Sequence, residues 1–565
     1  MKTVIMACFA LLLTDPGFAE NYLLNGGQES RIQYQMVQEV QPASGTQRLM
    51  LNYVVPTSFR SPTYNQEISQ LDITFSPRPS ARKENIDKRG NNVVEVFWEY
   101  PTLPVKTAIN FTALNSVRLD TLRTNTPFPL PRMLPDVAAY LQGTRQVDTR
   151  NASIRRKAFE LTAGAGTQFD AIQRILTWMV DHMHYVLNPE SYDATYSLDS
   201  GKGNCQNFSH LAAALMRTVG IPVRIVNGIT LKEPYDIQVE NSIMTMKMAQ
   251  GRHSWIEVYF PEMGWVPFDP QGSVLFVSNR FIRVEVGLDN SETFQDGLVR
   301  WTRSKGVSGR PRIEENIRAG FVSDQVRLFA RKADYGPRDL LLVPQVEAVF
   351  SKLTPQPLPP LPEQIPGEIL SRLRYTSPYV FGNLEFPENV DFMMVQGPAR
   401  QRGEDTLEIR KNFLVETAEY VTTRGKQYAQ TFILGKPMQL SRIGLALHKF
   451  SDEGQLWLEL FRDNNGRPAD YIATSEIITS RQMNYASGYS WVDFAFEKSK
   501  ILLSPGRYWV ALGFTESPIV NWFFTYGKPV GPPDGTRYRT LFDEEWSRSL
   551  AFEFNYRVMG MAAEQ

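Results

Sequence analysis

Between Thr354 and Pro366 the chain runs T-P-Q-P-L-P-P-L-P-E-Q-I-P, six prolines in thirteen residues. Proline fixes φ and has no amide hydrogen, so this stretch suits neither a helix nor a central strand and reads as an extended polyproline spacer. It divides the chain into parts that must each build a core of their own. A chain of 565 residues, 42% hydrophobic and 21% charged, has the material for three or four ordinary globular units.

The same composition sets aside a disordered chain. Lysine plus arginine equals aspartate plus glutamate, 60 against 60, and no long run of one sign is present to track a nucleic-acid backbone, so nucleic acid is not an expected partner. The first residues, M-K-T-V-I-M-A-C-F-A-L-L-L-T-D-P-G-F-A, give one lysine, an apolar run from Val4 to Leu13, a Pro-Gly break and small residues ending at Ala19. That order predicts a signal peptide over 1–19, and hence a secreted or periplasmic mature protein. A lipoprotein anchor at Cys8 fits less well, because little apolar sequence precedes it. No other run is long and apolar enough for a membrane helix, so the mature chain is not expected to span one.

Removal of residues 1–19 leaves Cys205 as the only thiol. A lone cysteine in an oxidising compartment is either an inert buried residue or one kept for reactivity, and its position has to decide. Residues 20–135 alternate apolar and polar positions in short runs such as N-V-V-E-V-F-W-E-Y, which predicts an N-terminal β-sandwich-like domain. Helical spacing sets in with Ile172, Ile175, Leu176 and Met179, marking an α+β core over 136–305. Residues 306–378 read as a helical and proline-rich linker, and 379–565 as an all-β sandwich built from runs such as L-W-L-E-L-F-R and R-Y-W-V-A-L.

Within the core, G-N-C-Q-N-F-S-H-L-A-A-A-L-M-R-T-V-G-I-P places Phe208, Leu211, Leu215, Met216 and Val219 on one helix face, with Gly220 ending the helix and Pro222 preventing its extension. Cys205 then stands at the helix N-terminus. There the dipole favours a thiolate, and first-turn N–H groups can stabilise an oxyanion on a substrate carbonyl. A thiolate nucleophile also needs a histidine. His182, His184 and His210 fall on predicted helices and His448 in the C-terminal sandwich, where packing or surface roles account for them. His253 instead opens a strand, R-H-S-W-I-E-V-Y-F, whose Ile256, Val258 and Phe260 face the core. The loop P-E-M-G leads to W-V-P-F-D-P and Asp269. A four-residue loop with regular pairing would put Asp269 on the face opposite His253, so a meeting of the two requires a bulge or another loop length.

These blocks, with the later F-I-R-V-E-V-G-L-D-N, resemble the bacterial transglutaminase-like superfamily, which has a papain-like cysteine-protease core. The resemblance covers about 148–297. It implies that Cys205 is a nucleophile, His253 a general base and acid, and Asp269 the residue that orients the histidine, without metal or organic cofactor. Asn207 departs from it, since many relatives carry aspartate there. The sandwich is similar to jelly-roll modules of secreted bacterial proteins, which implies a cell-surface polymer or carbohydrate as its ligand.

The implied function is an exported thiol enzyme acting on peptide or protein amides through a thioester, with water (peptidase or amidase) or an amine (transglutaminase) as second nucleophile. The competing reading is a binding or scaffold protein that keeps the fold without catalysis. A zinc site from His182, His184, Cys205 and His210 lacks paired ligand spacing and leaves the His253 block unused. Trp255 and Trp265 could line a groove but suit a hairpin core better, and Asn204 and Gln206 fit solvent exposure at a helix start. Asp269 in D-P could simply cap a turn.

Overall fold

The computed structural model describes residues 21–564 apart from 132, 187–188, 273–274, 307, 337–341, 345, 354–359, 383–398, 403–405, 410–418, 424, 485–488, 497–499, 516–519 and 526–534. The leader expected at 1–19 and the first half of the proline-rich spacer lie outside the described residues.

Strand Asn21–Gln41 buries alternate residues, Ile32, Tyr34 and Met36 among them, as a one-sided sheet requires. They pack against Leu49, Leu51 and Tyr53 of Thr46–Val55 and Val94, Val96 and Trp98 of Asn92–Glu99. The N-terminal region is thus two sheets over one core. Its first sheet sets Val105–Arg118 between Asn21–Gln41 and Tyr64–Ser76, and its second pairs Asn92–Glu99 with both Thr46–Val55 and Ala81–Ile86.

Several segments depart from the boundaries read in the sequence, among them Thr406–Ile409, expected in the C-terminal sandwich but paired with Leu298–Arg303 in the second N-terminal sheet. Arg312–Ala333, expected in a helical linker, is a single 22-residue strand paired antiparallel with Asn21–Gln41 along its whole length. Ile313, Ile317 and Phe321, spaced by four, imitate a helix stripe; what decides is the pairing partner almost three hundred residues away, which burial of one face of the strand rewards. Leu298–Arg303, taken as the end of the core, is hydrogen-bonded into the second N-terminal sheet beside Thr46–Val55. The core is therefore inserted between strands of the β region.

That core packs helices Ala152–Thr162, Gln168–His182 and Cys205–Thr218 on an antiparallel sheet in the order Gly264–Phe268, Gly251–Phe260, Val223–Thr230, Phe281–Gly287. Hairpin Tyr235–Met246 reaches out of it, pairing with Gln238↔Phe329 on one edge and Ile243↔Arg548 on the other, and so joins the core to the C-terminal region. There, strands including Gln455–Asp463, Gly506–Phe514 and Lys426–Leu434 face a second sheet containing Met438–Lys449, Val520–Thr525 and Tyr556–Ala563. Leu456, Leu458, Leu460, Val510, Leu512, Trp522 and Phe554 fill the space between the two sheets.

Candidate functional site

The helix Cys205–Thr218 is buried on every side, not on one face: all residues from Cys205 to Arg217 are buried, including Ala212, Ala213 and Ala214 on its narrow sides. A helix buried all round sits at the centre of a domain, and the polar side chains this one carries there, Asn207, His210 and Arg217 among them, are each hydrogen-bonded. Its N-terminus is fixed by a capping box in which Asn204 accepts from the backbone of Gln206 and Asn207, while the Asn207 side chain accepts from the Asn204 N–H at 3.2 Å. Gly203 is needed just before it, because a Cβ there would come within 2.1 Å of Asn207.

Asn207 has a further task. Its amide nitrogen donates to the Ser191 carbonyl and the Ser197 hydroxyl, both at 2.9 Å. A carboxylate cannot donate to a carbonyl, so the amide is what this buried pocket requires. The capping box also engages the N–H groups of Gln206 and Asn207, so these two first-turn donors are already occupied.

Cys205, first residue of that helix, faces the strand Gly251–Phe260. The hairpin that follows answers the register question without a bulge between its strands. Pro261–Met263 is a three-residue loop, closed by Met263 N–H to the Phe260 carbonyl at 3.1 Å and by Gly264 at φ +75°, a conformation glycine adopts without strain. Phe260 therefore stands opposite Gly264, and Ile256 opposite Phe268. One step further in that register, Asp269 falls opposite Trp255, on the face that carries His253.

The three residues meet there. His253 Nε2 lies 3.1 Å from Asp269 Oδ2, and the imidazole is also hydrogen-bonded to Cys205. Burial disfavours the imidazolium, but the charges of Asp269 and Cys205 and their hydrogen bonds outweigh it, holding the His253 pKa well above its ordinary value. Cys205, His253 and Asp269 are 0%, 1% and 2% exposed, so the charges face one another with little water between them. Asp269 caps its turn as well: Oδ1 accepts from the Gln271 N–H at 3.1 Å while Oδ2 meets the histidine.

The other candidates separate from this centre. His182 Nε2 lies 2.8 Å from the Leu198 carbonyl, and His184 is in a short strand pair with Lys202 instead of a helix. His210 is buried with Nδ1 at 2.6 Å from the Tyr192 carbonyl and Nε2 accepting from the Asn290 N–H. Burial, chiefly, lowers its pKa, which fits a neutral ring. Among the described residues no group of three or more His, Cys, Asp or Glu is arranged to hold a metal ion. Trp255 is core, edge-on to Phe281, and Trp265 lies under Arg224 at 4.3 Å. Asn204 and Gln206 are buried, contrary to the solvent-exposed helix start expected of them.

Sequence reasoning missed two neighbours. Phe294, from the loop after Phe281–Gly287, packs on Cys205. Gln271 is buried with both side-chain amide atoms unpartnered in the structure. Neither belongs to a periodic pattern, and only the tertiary approach of the chain reveals them.

Known proteins match part of this core. Residues 155–270 match the model of the transglutaminase-like superfamily. The uncharacterized protein YebA of Bacillus subtilis is 31% identical over 131 residues, 22% of this chain and 18% of that one. The uncharacterized protein ML0607 of Mycobacterium leprae is 31% identical over 97 residues, 17% of this chain and 31% of that one. The match thus spans less than a third of either relative. Among solved structures, a candidate cysteine protease from Cytophaga hutchinsonii is 14% identical, covering 55% of this chain and 95% of that one at a TM-score of 0.40. The periplasmic domain of TgpA from Pseudomonas aeruginosa, bound to ethylmercury, is 16% identical, covering 42% and 89% at a TM-score of 0.23. Neither superposition is close enough to inform the site.

Proposed function

Because residues 155–270 form a transglutaminase-like domain, we propose that the chain is an exported thiol enzyme acting on peptide or protein amides, with Cys205, His253 and Asp269 as its catalytic residues. The observation that carries the reading is His253 held between a carboxylate 3.1 Å away and the only described thiol. In this mechanism the Cys205 thiolate attacks the amide carbonyl and a C–S bond forms. The C–N bond then breaks as the His253 imidazolium gives its proton to the departing amine. Water or an amine next attacks the thioester, His253 takes up its proton, and the C–S bond breaks to restore the thiolate. Asp269 keeps one ring nitrogen engaged so that the other faces the sulfur.

With the Gln206 and Asn207 amides engaged by Asn204, Gln271 is a polar side chain suited to a substrate amide, since its own amide offers one donor side and one acceptor. The C-terminal sandwich, on this reading a jelly-roll-like module, would hold the enzyme on a cell-surface polymer.

The test is the alkylation rate of Cys205 against pH in the mature protein and in His253→Ala. Rapid labelling well below pH ~8.5, lost in the variant, is expected for an activated thiolate. Slow labelling with an ordinary thiol profile in both proteins would overturn the enzyme reading. One observation favours the alternative, a scaffold that keeps the fold without catalysis: Cys205 exposes no surface at all.

A further inference from the structure

A nucleophile has to be reached; Cys205 is fully buried, and Phe294 is the partly buried hydrophobic side chain packed against it. Phe294 belongs to segment 288–297, which leaves the core strand Phe281–Gly287 and enters the N-terminal sheet at Leu298. The segment is tied on both sides of Phe294, and the two sets of ties differ in kind.

Toward the core most ties are buried, the Ser291 N–H bond to Gln146 at 3.1 Å being the exposed one. Asn290 donates through its backbone to His210 at 3.2 Å and through its side chain to Asn227 Oδ1 at 2.6 Å, and Asn227 donates to the Thr293 carbonyl at 2.7 Å. Toward the N-terminal β domain, Asn52 donates to Gln295 at 2.8 Å, the Val54 N–H to Asp296 at 3.1 Å, and the Gly297 N–H to the Asn52 carbonyl at 2.7 Å. The ion pairs of the segment to this domain are different because water reaches them. Glu292 pairs with Arg89 through both carboxylate oxygens, at 2.9 and 3.1 Å, and with Lys88 at 2.7 Å. The Glu292 and Lys88 side chains are 22% and 72% exposed. Lys88 and Arg89 lie in the turn between Ala81–Ile86 and Asn92–Glu99, and that turn is fastened to the core through Asn91 and Val286, with both hydrogen bonds at 2.9 Å.

We propose that segment 288–297 is a cap that keeps acyl substrates from Cys205, and that the N-terminal β domain is its latch through the Arg89 and Lys88 pairs with Glu292. The catalytic meaning of the cap rests on the reading of Cys205 as a nucleophile; its structural content is access to a thiol. Opening needs the stretch around Phe294 to leave Cys205 while its buried attachments to the core, at Asn290 and Asn227 on one side and from Asp296 to Arg252 on the other, stay in place. The solvent-reached ion pair is the tie most easily exchanged for water. The N-terminal domain is then a regulator of access as well as a neighbour.

The experiment measures, at one fixed pH, the rate at which a bulky maleimide labels Cys205 in the full mature chain. Glu292→Gln and the double variant Lys88→Ala, Arg89→Ala are each expected to label about tenfold faster than the unaltered protein, the population shift that follows loss of a charge-assisted pair. Phe294→Ala is expected to label faster with the latch intact. To separate a released latch from a loosened fold, Glu292→Arg in a Lys88→Ala background should speed labelling, and adding Arg89→Glu should slow it again. Rates equal to the unaltered protein in the latch variants, or no slowing on restoring the pair with charges reversed, would overturn the proposal. The enzyme reading fails on a different result, a pH profile that His253→Ala leaves unchanged, so the two can fall separately.

Discussion

The core and the C-terminal sandwich handle burial in opposite ways. Around the core sheet, charged groups go inside in linked sets: Arg224 and Arg283 both pair with Glu257, Arg252 with Asp296 and Glu315, and Arg280 with Asp324. Between the sheets of the sandwich, rings and aliphatic chains interlock instead, with Trp522 stacked on Phe554 at 4.2 Å. Buried ion pairs add little net stability but are costly to break singly, so they fix geometry, while apolar packing supplies stability. The difference teaches where chemistry and where robustness reside. Substitutions in the sandwich should act on stability and leave the thiol alone; substitution of the imidazole that faces Cys205 should do the reverse.

The sharpest test of that contrast is Trp522→Ala, which removes a fully buried ring from the sandwich core. A loss of about 3–5 kcal/mol is expected in denaturant unfolding. The pH profile of Cys205 alkylation, measured where the protein is still folded, should not move. A moved profile would break the comparison, because it would mean that the sandwich sets the state of the site.

His253→Ala is its mirror. Loss of the imidazole should slow Cys205 alkylation at pH ~7 by about a hundredfold, in the range that a positioned proton-transfer group contributes. Stability should fall far less than for Trp522→Ala. Equal destabilisation would make His253 a structural residue and erase the distinction.

The two regions also differed in how legible they were. Cys205 at a helix start and His253 on a core-facing strand followed from local spacing, because capping and alternation are short-range rules. The meeting with Asp269 did not, since it depends on a loop of three residues where four were counted, and one residue reverses the face of everything beyond it. The helical linker expected over 306–378 fails for a similar reason: Ile313, Ile317 and Phe321, spaced by four, suit a helix locally, yet strand Asn21–Gln41 claims them from across the chain. Asn207 marked a departure from the family pattern that the sequence could not interpret, and the carbonyl and hydroxyl it faces supply the reason.

Asn207→Asp turns that reason into a measurement. A carboxylate facing the Ser191 carbonyl would lose both amide donor bonds and set two acceptors together. The expected cost is about 1–3 kcal/mol of stability, with faster labelling of Cys205 only if the helix start loosens. A neutral result would mean that the pocket does not depend on the amide.

The smallest effect expected is also the one that ties charge to folding most directly. The His253 pKa is raised in the folded state, where burial opposes the imidazolium but Asp269 and Cys205 more than compensate. A group of this kind contributes its stability in full below its unfolded pKa, about 6.5, and loses it as pH rises through the higher folded value. Asp269→Asn removes the first of the two charges that raise it. The stability difference between the unaltered protein and Asp269→Asn should therefore be largest below pH ~6.5 and shrink as pH climbs above that, by about 1.4 kcal/mol for each unit of raised pKa that Asp269 supplies. Thermal midpoints of the two proteins between pH ~5 and ~9, where the aspartate stays ionised in the unfolded chain, measure this directly. A difference that is flat with pH would mean that Asp269 serves the fold through its turn-capping bond to Gln271 and not through the charge on His253.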